Sequence, residues 1–244
     1  MISFTDVTAG NPETGEFQQS PAVMAASTAS FFTFAWLASG RPAEDVNGAK
    51  GSKVNEGIRT STSIFCRGLK ERITLNTSSG VPWEWRRIVF HIKKADFQDS
   101  SDPNTSKFFR ITSNGMARLV TLIPNEDIFI ELFDGARFQD WLDPLNAKIN
   151  TRLIDVKYDV VRQIRSGNDN GVIRHYNLWH PVNKNIVYED EQDGESMFTS
   201  ALSTGGKPGA GDMYVVDIFR PGAPSDSTDL LSYLPQSTFY WHEK

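Results

Sequence analysis

The feature that most limits the fold is a strict two-residue rhythm in "RLIDVKYDVVRQIR". Ile154, Val156, Tyr158 and Val160 share one parity, and Asp155, Lys157 and Asp159 the other. Side chains alternate sides along an extended strand, so this stretch is expected to bury one face and wet the other. "SIFCRGLKERITL" keeps the rhythm, with Phe65, Leu69, Ile73 and Leu75 on one parity and Cys66, Gly68, Lys70, Arg72 and Thr74 on the other. "WEWRRIVFHIKK" sets Ile88, Phe90 and Ile92 against Val89. "FFRITSNGMARLVTLIP" reads as two short strands about Asn114-Gly115, a pair that tolerates the positive φ of a two-residue hairpin turn. "DIFIELFDG", "VIRHYNLW", "KNIVYED", "DMYVVDIFRPG" and "STFYWHE" supply further strands. Only "RFQDWLDPLNA" reads as helical, from Phe138, Trp141, Leu142 and Leu145, and Pro144 limits its length.

Many short strands without strand–helix alternation exclude a doubly wound sheet and leave a sandwich or barrel. Connections of unequal length, with long loops at 40–62 and 199–211, favour a jelly roll over a meander. The expected fold is therefore all-β: a single jelly-roll β-sandwich of eight antiparallel strands in two sheets, with long loops and at most one or two short helices. Residues 1–30, polar and without period, are expected to be an N-terminal arm or irregular lead-in, and 31–244 the jelly-roll domain. No stretch approaches the ~20 apolar residues of a membrane-spanning helix. Met1 is not followed by a basic and then an apolar region, so no secretory signal is expected. The single cysteine, Cys66, rules out a disulfide framework within the chain and reads as a small buried hydrophobe.

Charge is unevenly spread. The chain totals −5, which by itself argues against wholesale polyanion binding. Segment 64–94 has seven basic and two acidic residues, a balance of +5; segment 189–244 has three basic and ten acidic, a balance of −7. Separated signs suit head-to-tail association between copies, and they also suit plain solvated faces.

The acidic turn Glu189, Asp190, Glu191, Asp193 and Glu195 imitates the first half of a calcium loop, but its twelfth position is Ser200, which cannot chelate as a bidentate glutamate does. The four histidines, His91, His175, His180 and His242, have no metal-ligand spacing. There is no G-x-S-x-G elbow, and "STGGKPGAG" lacks the phosphate-loop spacing. No catalytic residue, metal or cofactor is expected, and the protein is read as not an enzyme. The aromatic and basic residues carry more information. Trp83, Trp85, Trp179 and His180 are candidates for subunit interfaces, with core packing as the alternative for each Trp. Lys70, Arg72, Arg86, Arg87, Lys93 and Lys94 are candidates to face DNA, because aromatics interleaved with arginine can stack bases. Adjacent strand residues point to opposite faces, so at most half of Arg86, Arg87, Lys93 and Lys94 can share one surface.

Three of these stretches together, "SIFCRGLKERITLNTSSGVPWEWRRIVF", "YNLWHPVNKNIVYEDEQDGE" and "GDMYVVDIFRPG", resemble the capsid proteins of genomoviruses (Genomoviridae), small circular single-stranded DNA viruses related to geminiviruses. The resemblance runs from about residue 60 to 222. It implies a single jelly roll whose copies self-assemble into a small T=1 icosahedral shell around a circular single-stranded DNA genome. It also implies residence in the virion and, during assembly, in the host nucleus, with identical subunits and DNA as partners and no membrane. Such proteins begin with an arginine-rich arm, whereas this chain begins "MISFTDVTAGNPETG", so most genome neutralisation is expected from an arm absent from this chain. The acidic turn is expected on the outer shell surface or at a symmetry axis, since carboxylates on the lumen would repel DNA. The competing reading is a lectin-like jelly roll that binds glycans through exposed aromatics.

Overall fold

Buried residues alternate along the strands of one sheet and run almost unbroken along the central strands of the other, and this difference defines the layers. The computed structural model describes residues 2–5, 17–18, 20–45, 47–52, 57–97, 106–112, 115–123, 125–193, 196–222 and 225–243. In chain order the elements are β1 (Ile2–Thr5), β2 (Phe17–Gln18), β3 (Ala22–Ala25), β4 (Phe32–Leu37), β5 (Ser63–Thr77), β6 (Trp83–Ile92), β7 (Phe109–Thr112), β8 (Gly115–Leu122), α1 (Asn125–Leu132), β9 (Ile154–Ile164), β10 (Ile173–Val187), β11 (Glu191–Asp193), β12 (Ser196–Phe198), β13 (Asp212–Pro221) and β14 (Leu230–His242). One sheet has the order β10-β5-β14-β3; the other runs β2-β1-β8-β4-β13-β6-β9, with β7 beside β8. The chain is therefore a β-sandwich. The sandwich strands pair antiparallel, as expected; among the described strands β1, from the lead-in, pairs parallel to β8.

Phe34, Trp36, Trp83, Trp85, Val89 and Phe219 of the larger sheet meet Leu69, Ile73, Leu75 and Tyr233 of the smaller one. The rings of Trp85 and Phe219 stack with centroids 6.1 Å apart. The far side of the larger sheet is covered as well. Ile88, Phe90, Tyr214, Val216 and Ile218 pack beneath Phe97, Phe108, Phe129, Leu132, Phe133 and Leu145 from the 93–150 segment. A strand covered on both faces has no wet side to show, so the central strands lose the two-residue signature. Arg86 holds the covering layer down. Its guanidinium grips Asp159 at 2.8 Å through two nitrogens and donates to the carbonyls of Pro144 (2.7 Å) and Ala147 (2.8 Å).

Several local expectations are corrected. "DIFIELFDG" forms the only helix among the described residues, not a strand. Ile128, Phe129, Leu132 and Phe133 fit one helical face and are buried, while Ile130 is 75% exposed. "RFQDWLDPLNA" makes turns instead of a helix: Phe138 has a φ of 68°, and Asp143 accepts the backbone N–H of Leu145 at 2.9 Å. The β7–β8 hairpin forms one residue early, with Thr112 paired to Gly115; its turn residues 113–114 lie outside the described residues. Within the expected lead-in 1–30, β3 belongs to the sandwich, and Ala22 and Met24 are buried in its core. Four residues, two of them alanine, make little hydrophobic pattern. In β5, Phe65 and Leu69 do not share a face: a register shift near Gly68 turns Phe65 outward and Cys66 inward. Burial pushes the Cys66 thiol up to about 12, so it stays protonated.

A charged network crosses the core between the sheets. Arg87 Nη1 donates to both oxygens of Asp217 (2.8 and 2.9 Å), and its Nη2 bonds Glu71 of the opposite sheet. Tyr233 Oη and Trp85 Nε1 each donate to Asp217 at 2.6 Å, and His180 Nε2 lies 2.7 Å from Glu71 Oε2. Burial would raise the Glu71 carboxyl, but Arg87 and the His180 bond outweigh it and hold it below the usual range. At Asp217 burial wins and its carboxyl is raised, despite Arg87, Tyr233 and Trp85. Removing Arg87 leaves Glu71 and Asp217 without their shared guanidinium in an apolar core. Arg87→Met is expected to cost roughly 3–5 kcal/mol in urea unfolding. A loss under about 1 kcal/mol would show that the network does not hold the sheets.

Two other buried groups pull the pH dependence in opposite directions. Burial lowers His91 to about 4, with the Gly211 carbonyl acting the other way. Unfolded His91 protonates near 6.5, so from there down to about 4 the unfolded chain binds the extra proton and stability falls with pH. Burial lifts Asp212 to about 6 against the hydrogen bonds from Ser203 and Ser39. Here the folded state takes the proton first, and stability rises as pH falls from about 6 to 3.8. Relative to wild type, His91→Gln is expected to gain up to about 3 kcal/mol as pH drops through its window, and Asp212→Asn to lose a similar amount. Urea midpoints between pH 7 and pH 4 that run parallel for all three proteins would refute both assignments.

Candidate nucleic-acid interface

The outer face of the four-stranded sheet is open to solvent, and its composition follows from strand register. Lys70 of β5 lies between Trp179 of β10 and Thr238 of β14. Arg72 lies between Asn177 and Gln236, and Thr74 between His175 and Leu234. Lys70, Arg72, His175, Asn177, Gln236 and Thr238 are all exposed. Beyond the register shift, Arg67 is exposed too and donates to Asn183 Oδ1 at 2.8 Å. In β3, β5, β10 and β14 the only carboxylate is Glu71, and it points into the core. The outer face of these strands therefore carries cations, amides and hydroxyls with no acid to cancel them.

Two large aromatics stand on this face. Trp179 is 50% exposed and Tyr240 43%, and their rings meet edge to face with centroids 5.8 Å apart. They come from strands on either side of β5 and meet across Gly68. A Cβ at Gly68 would sit 2.8 Å from the Trp179 ring and 2.5 Å from the His180 carbonyl oxygen, so glycine is what lets the indole lie across the strand. Beside the pair, Arg72, Thr74, His175, Asn177, Leu234 and Gln236 line a shallow groove of about 330 Å³. Exposed π-faces next to a cationic strip are the two elements that bind single-stranded nucleic acid without reading its sequence.

The structure divides the sequence candidates. Lys70 and Arg72 stand on this face. Arg86 and Arg87 are buried, one under the 93–150 layer and one in the core, so neither faces a ligand. Both have carboxylate partners several strands away in sequence, which the run of basic residues concealed. Lys93 and Lys94 sit past the end of β6 in the other sheet, where Lys93 Nζ bonds the Pro208 carbonyl. Trp83, Trp85 and His180 are core residues, which removes them as interface candidates; Trp179 alone of that group is at the surface. Of the acidic turn, Glu189 is exposed, but Asp190 is drawn inward onto Arg59, which also donates to the Ser200 carbonyl at 2.9 Å and lies over the Tyr188 ring at 4.3 Å. Arg59 holds the Asp190 carboxyl below its usual range against the opposing effect of burial. Glu191 and Asp193 lie in β11, paired with β12, and Glu195 falls outside the described residues. No group of three His, Cys, Asp or Glu side chains that could hold a metal occurs among the described residues.

Arg67, His175, Gln236 and Tyr240 were not singled out from the sequence. Tyr240 was legible in principle, because "STFYWHE" alternates, but which parity faces solvent depends on the sheet beneath. No family model matches this chain, and no curated protein matches it.

Two variants separate stacking from charge. Trp179→Ala is expected to weaken binding of a short oligothymidylate by ~1–3 kcal/mol and leave its salt dependence unchanged. Replacing Lys70 and Arg72 together with Ala is expected to flatten the log–log salt slope by about 1.4, from two lost phosphate contacts. Fluorescence anisotropy across a salt series reads both. No binding, or wild-type affinity and slope in both variants, would rule this face out as a nucleic-acid interface.

Proposed function

We propose that this protein is the coat protein of a small circular single-stranded DNA virus of the genomovirus kind, copies of which close into an icosahedral shell. The observation that carries the reading is the acid-free face of the four-stranded sheet, with Lys70, Arg72 and the Trp179–Tyr240 pair on it. A surface of that chemistry suits the lining of a DNA container, whereas the network in the core serves folding. The strand order supports it as well. The eight sandwich strands divide as β3, β5, β10 and β14 in one sheet and β4, β6, β9 and β13 in the other. Consecutive strands therefore change sheets at almost every step, which is how we read an eight-stranded jelly roll, with the β7–β8 hairpin and α1 inserted between β6 and β9. The resemblance in "WEWRRIVF" and "YNLWHPVNKNIVYEDEQDGE" points the same way.

In this reading the protein catalyses nothing. Its partners are identical subunits and the DNA genome, in the virion and in the host nucleus during assembly. The basic face lines the lumen, and the acidic segment at Glu189 points away from the genome. The lectin-like alternative takes its support from the Trp179–Tyr240 pair, which is also a surface on which a sugar ring can lie.

Sedimentation and negative-stain imaging at low and high salt, with and without single-stranded DNA, test the proposal. Closed particles of uniform diameter, or small building blocks that convert to them when salt or DNA changes, are the expected result. A monomer or small fixed oligomer under every condition, with an arginine-rich arm supplied, would overturn it. Glycan binding by such an oligomer would favour the lectin.

A further inference from the structure

The described residues include five buried arginines, and they fall into two groups. Arg59, Arg86 and Arg87 each have a carboxylate partner: Asp190, Asp159, and the pair Asp217 and Glu71. Arg41 and Arg118, each only 7% exposed, have no carboxylate partner among the described residues. Both line one cavity of about 510 Å³, together with Met116, Ser237, Phe239 and Trp241. The cavity lies along β14 beyond Tyr233, the last residue that β3 covers.

The polar contacts of the two guanidiniums are few. Arg118 donates from Nη1 to Ser237 O (3.3 Å) and Oγ (3.1 Å) and from Nη2 to Ala38 O (3.2 Å), while its buried Nε has no partner. Arg41 Nη1 donates to its neighbour's carbonyl, Gly40 O, at 2.5 Å, and its guanidinium lies over the rings of Phe239 and Trp241 at 5.1 and 5.0 Å. Two cations buried in one cavity repel each other and have lost their water. Burial lowers Arg41 to about 10, and burial followed by Arg41 pushes Arg118 well down. Everywhere else in the described residues a buried guanidinium is bonded to a carboxylate, whereas here Glu71 acts on Arg118 only from a distance and no described carboxylate bonds either guanidinium.

We propose that the Arg41–Arg118 cavity binds a phosphate group, held by the two guanidiniums and by the Ser237 hydroxyl at the β14 edge. Two fixed positive charges match a phosphate dianion, and guanidinium N–H groups fit its oxygens in pairs. The aromatic floor under Arg41 keeps its planar group in place. The phosphate can be free inorganic anion or part of a nucleic-acid backbone, since both present the same oxygens. The inference does not depend on shell formation and is tested on unassembled protein.

The test is thermal unfolding with inorganic phosphate titrated against chloride at constant ionic strength, in parallel with acetate and with a short oligothymidylate, and with ³¹P line broadening as a direct readout. Wild type is expected to gain about 5 °C or more in Tm at phosphate a hundredfold above its Kd, and little from acetate. Arg118→Met is expected to unfold in chloride at or above the wild-type temperature, because it removes an uncompensated buried charge, and to lose the phosphate response. Arg41→Gln gives the same loss of response should Arg118→Met fail to fold. A response to the oligonucleotide alone that Trp179→Ala keeps and Arg118→Met loses assigns the site to nucleic-acid backbone; a response to inorganic phosphate alone assigns it to the free anion. A wild-type protein that responds to neither inorganic phosphate nor, with Trp179 replaced by Ala, the oligonucleotide, or a folded Arg118→Met or Arg41→Gln variant that keeps the full response of that site, overturns the proposal.

Discussion

The architecture depends on one constraint: the central strands β4, β13 and β6 are dry on both faces. One face closes the sandwich core against the four-stranded sheet, and the other lies under α1 and the loops between residues 93 and 150. A sheet wetted on one side tolerates polar residues at every second position; this one does not, except where the polar group is fully paired. That is why Arg86 and Arg87, adjacent in β6, point in opposite directions and still both end in ion pairs. Arg86 ties down the covering layer and Arg87 joins the two sheets through Asp217 and Glu71. Such pairs add little net stability over an apolar core, but they penalise any register that separates the partners. In a strand with few polar markers, that penalty helps to select one alignment.

The four-stranded sheet carries the opposite constraint. Its inner face must match the core, and its outer face is left to water and ligands. Gly68 shows how closely the two are coupled. The irregularity there changes which residues of β5 face outward, and the missing side chain lets Trp179 reach Tyr240 across the strand. A structural accommodation in the sheet thus prepares the exposed aromatic pair. Arginine is used in three ways within one domain: paired inside the fold at Arg59, Arg86 and Arg87, exposed at the surface at Arg72, and buried without a carboxylate from the described residues at Arg41 and Arg118. Composition cannot separate these uses, because all contribute the same charge to the sum.

The misreadings have a common physical origin. Ile128, Ile130 and Leu132 satisfy a two-residue period, while Ile128, Phe129, Leu132 and Phe133 satisfy a helical one; the second set is buried because a layer was needed over the dry sheet. Trp83 and Trp85 read as either interface or core, because a large aromatic suits both equally well until the opposing sheet is in place. Arg86, Arg87, Lys93 and Lys94 looked like one basic strip because they are close in sequence, and partners far along the chain dispersed them.

The sequence alone determined that this chain is a β-sandwich without a metal-ligand spacing or a nucleophile elbow, because alternation and turn residues are local and act through the backbone of each strand. It also determined that positive charge would concentrate between residues 64 and 94. Only the tertiary structure decided which charges remained available. Burial and pairing depend on residues brought together from distant strands, as Arg87 is with Asp217 and Arg59 with Asp190. Only the tertiary structure, too, gathered Arg41 and Arg118 into one cavity, since nothing in the 76 intervening residues (118 minus 41, less one) marks the two as neighbours.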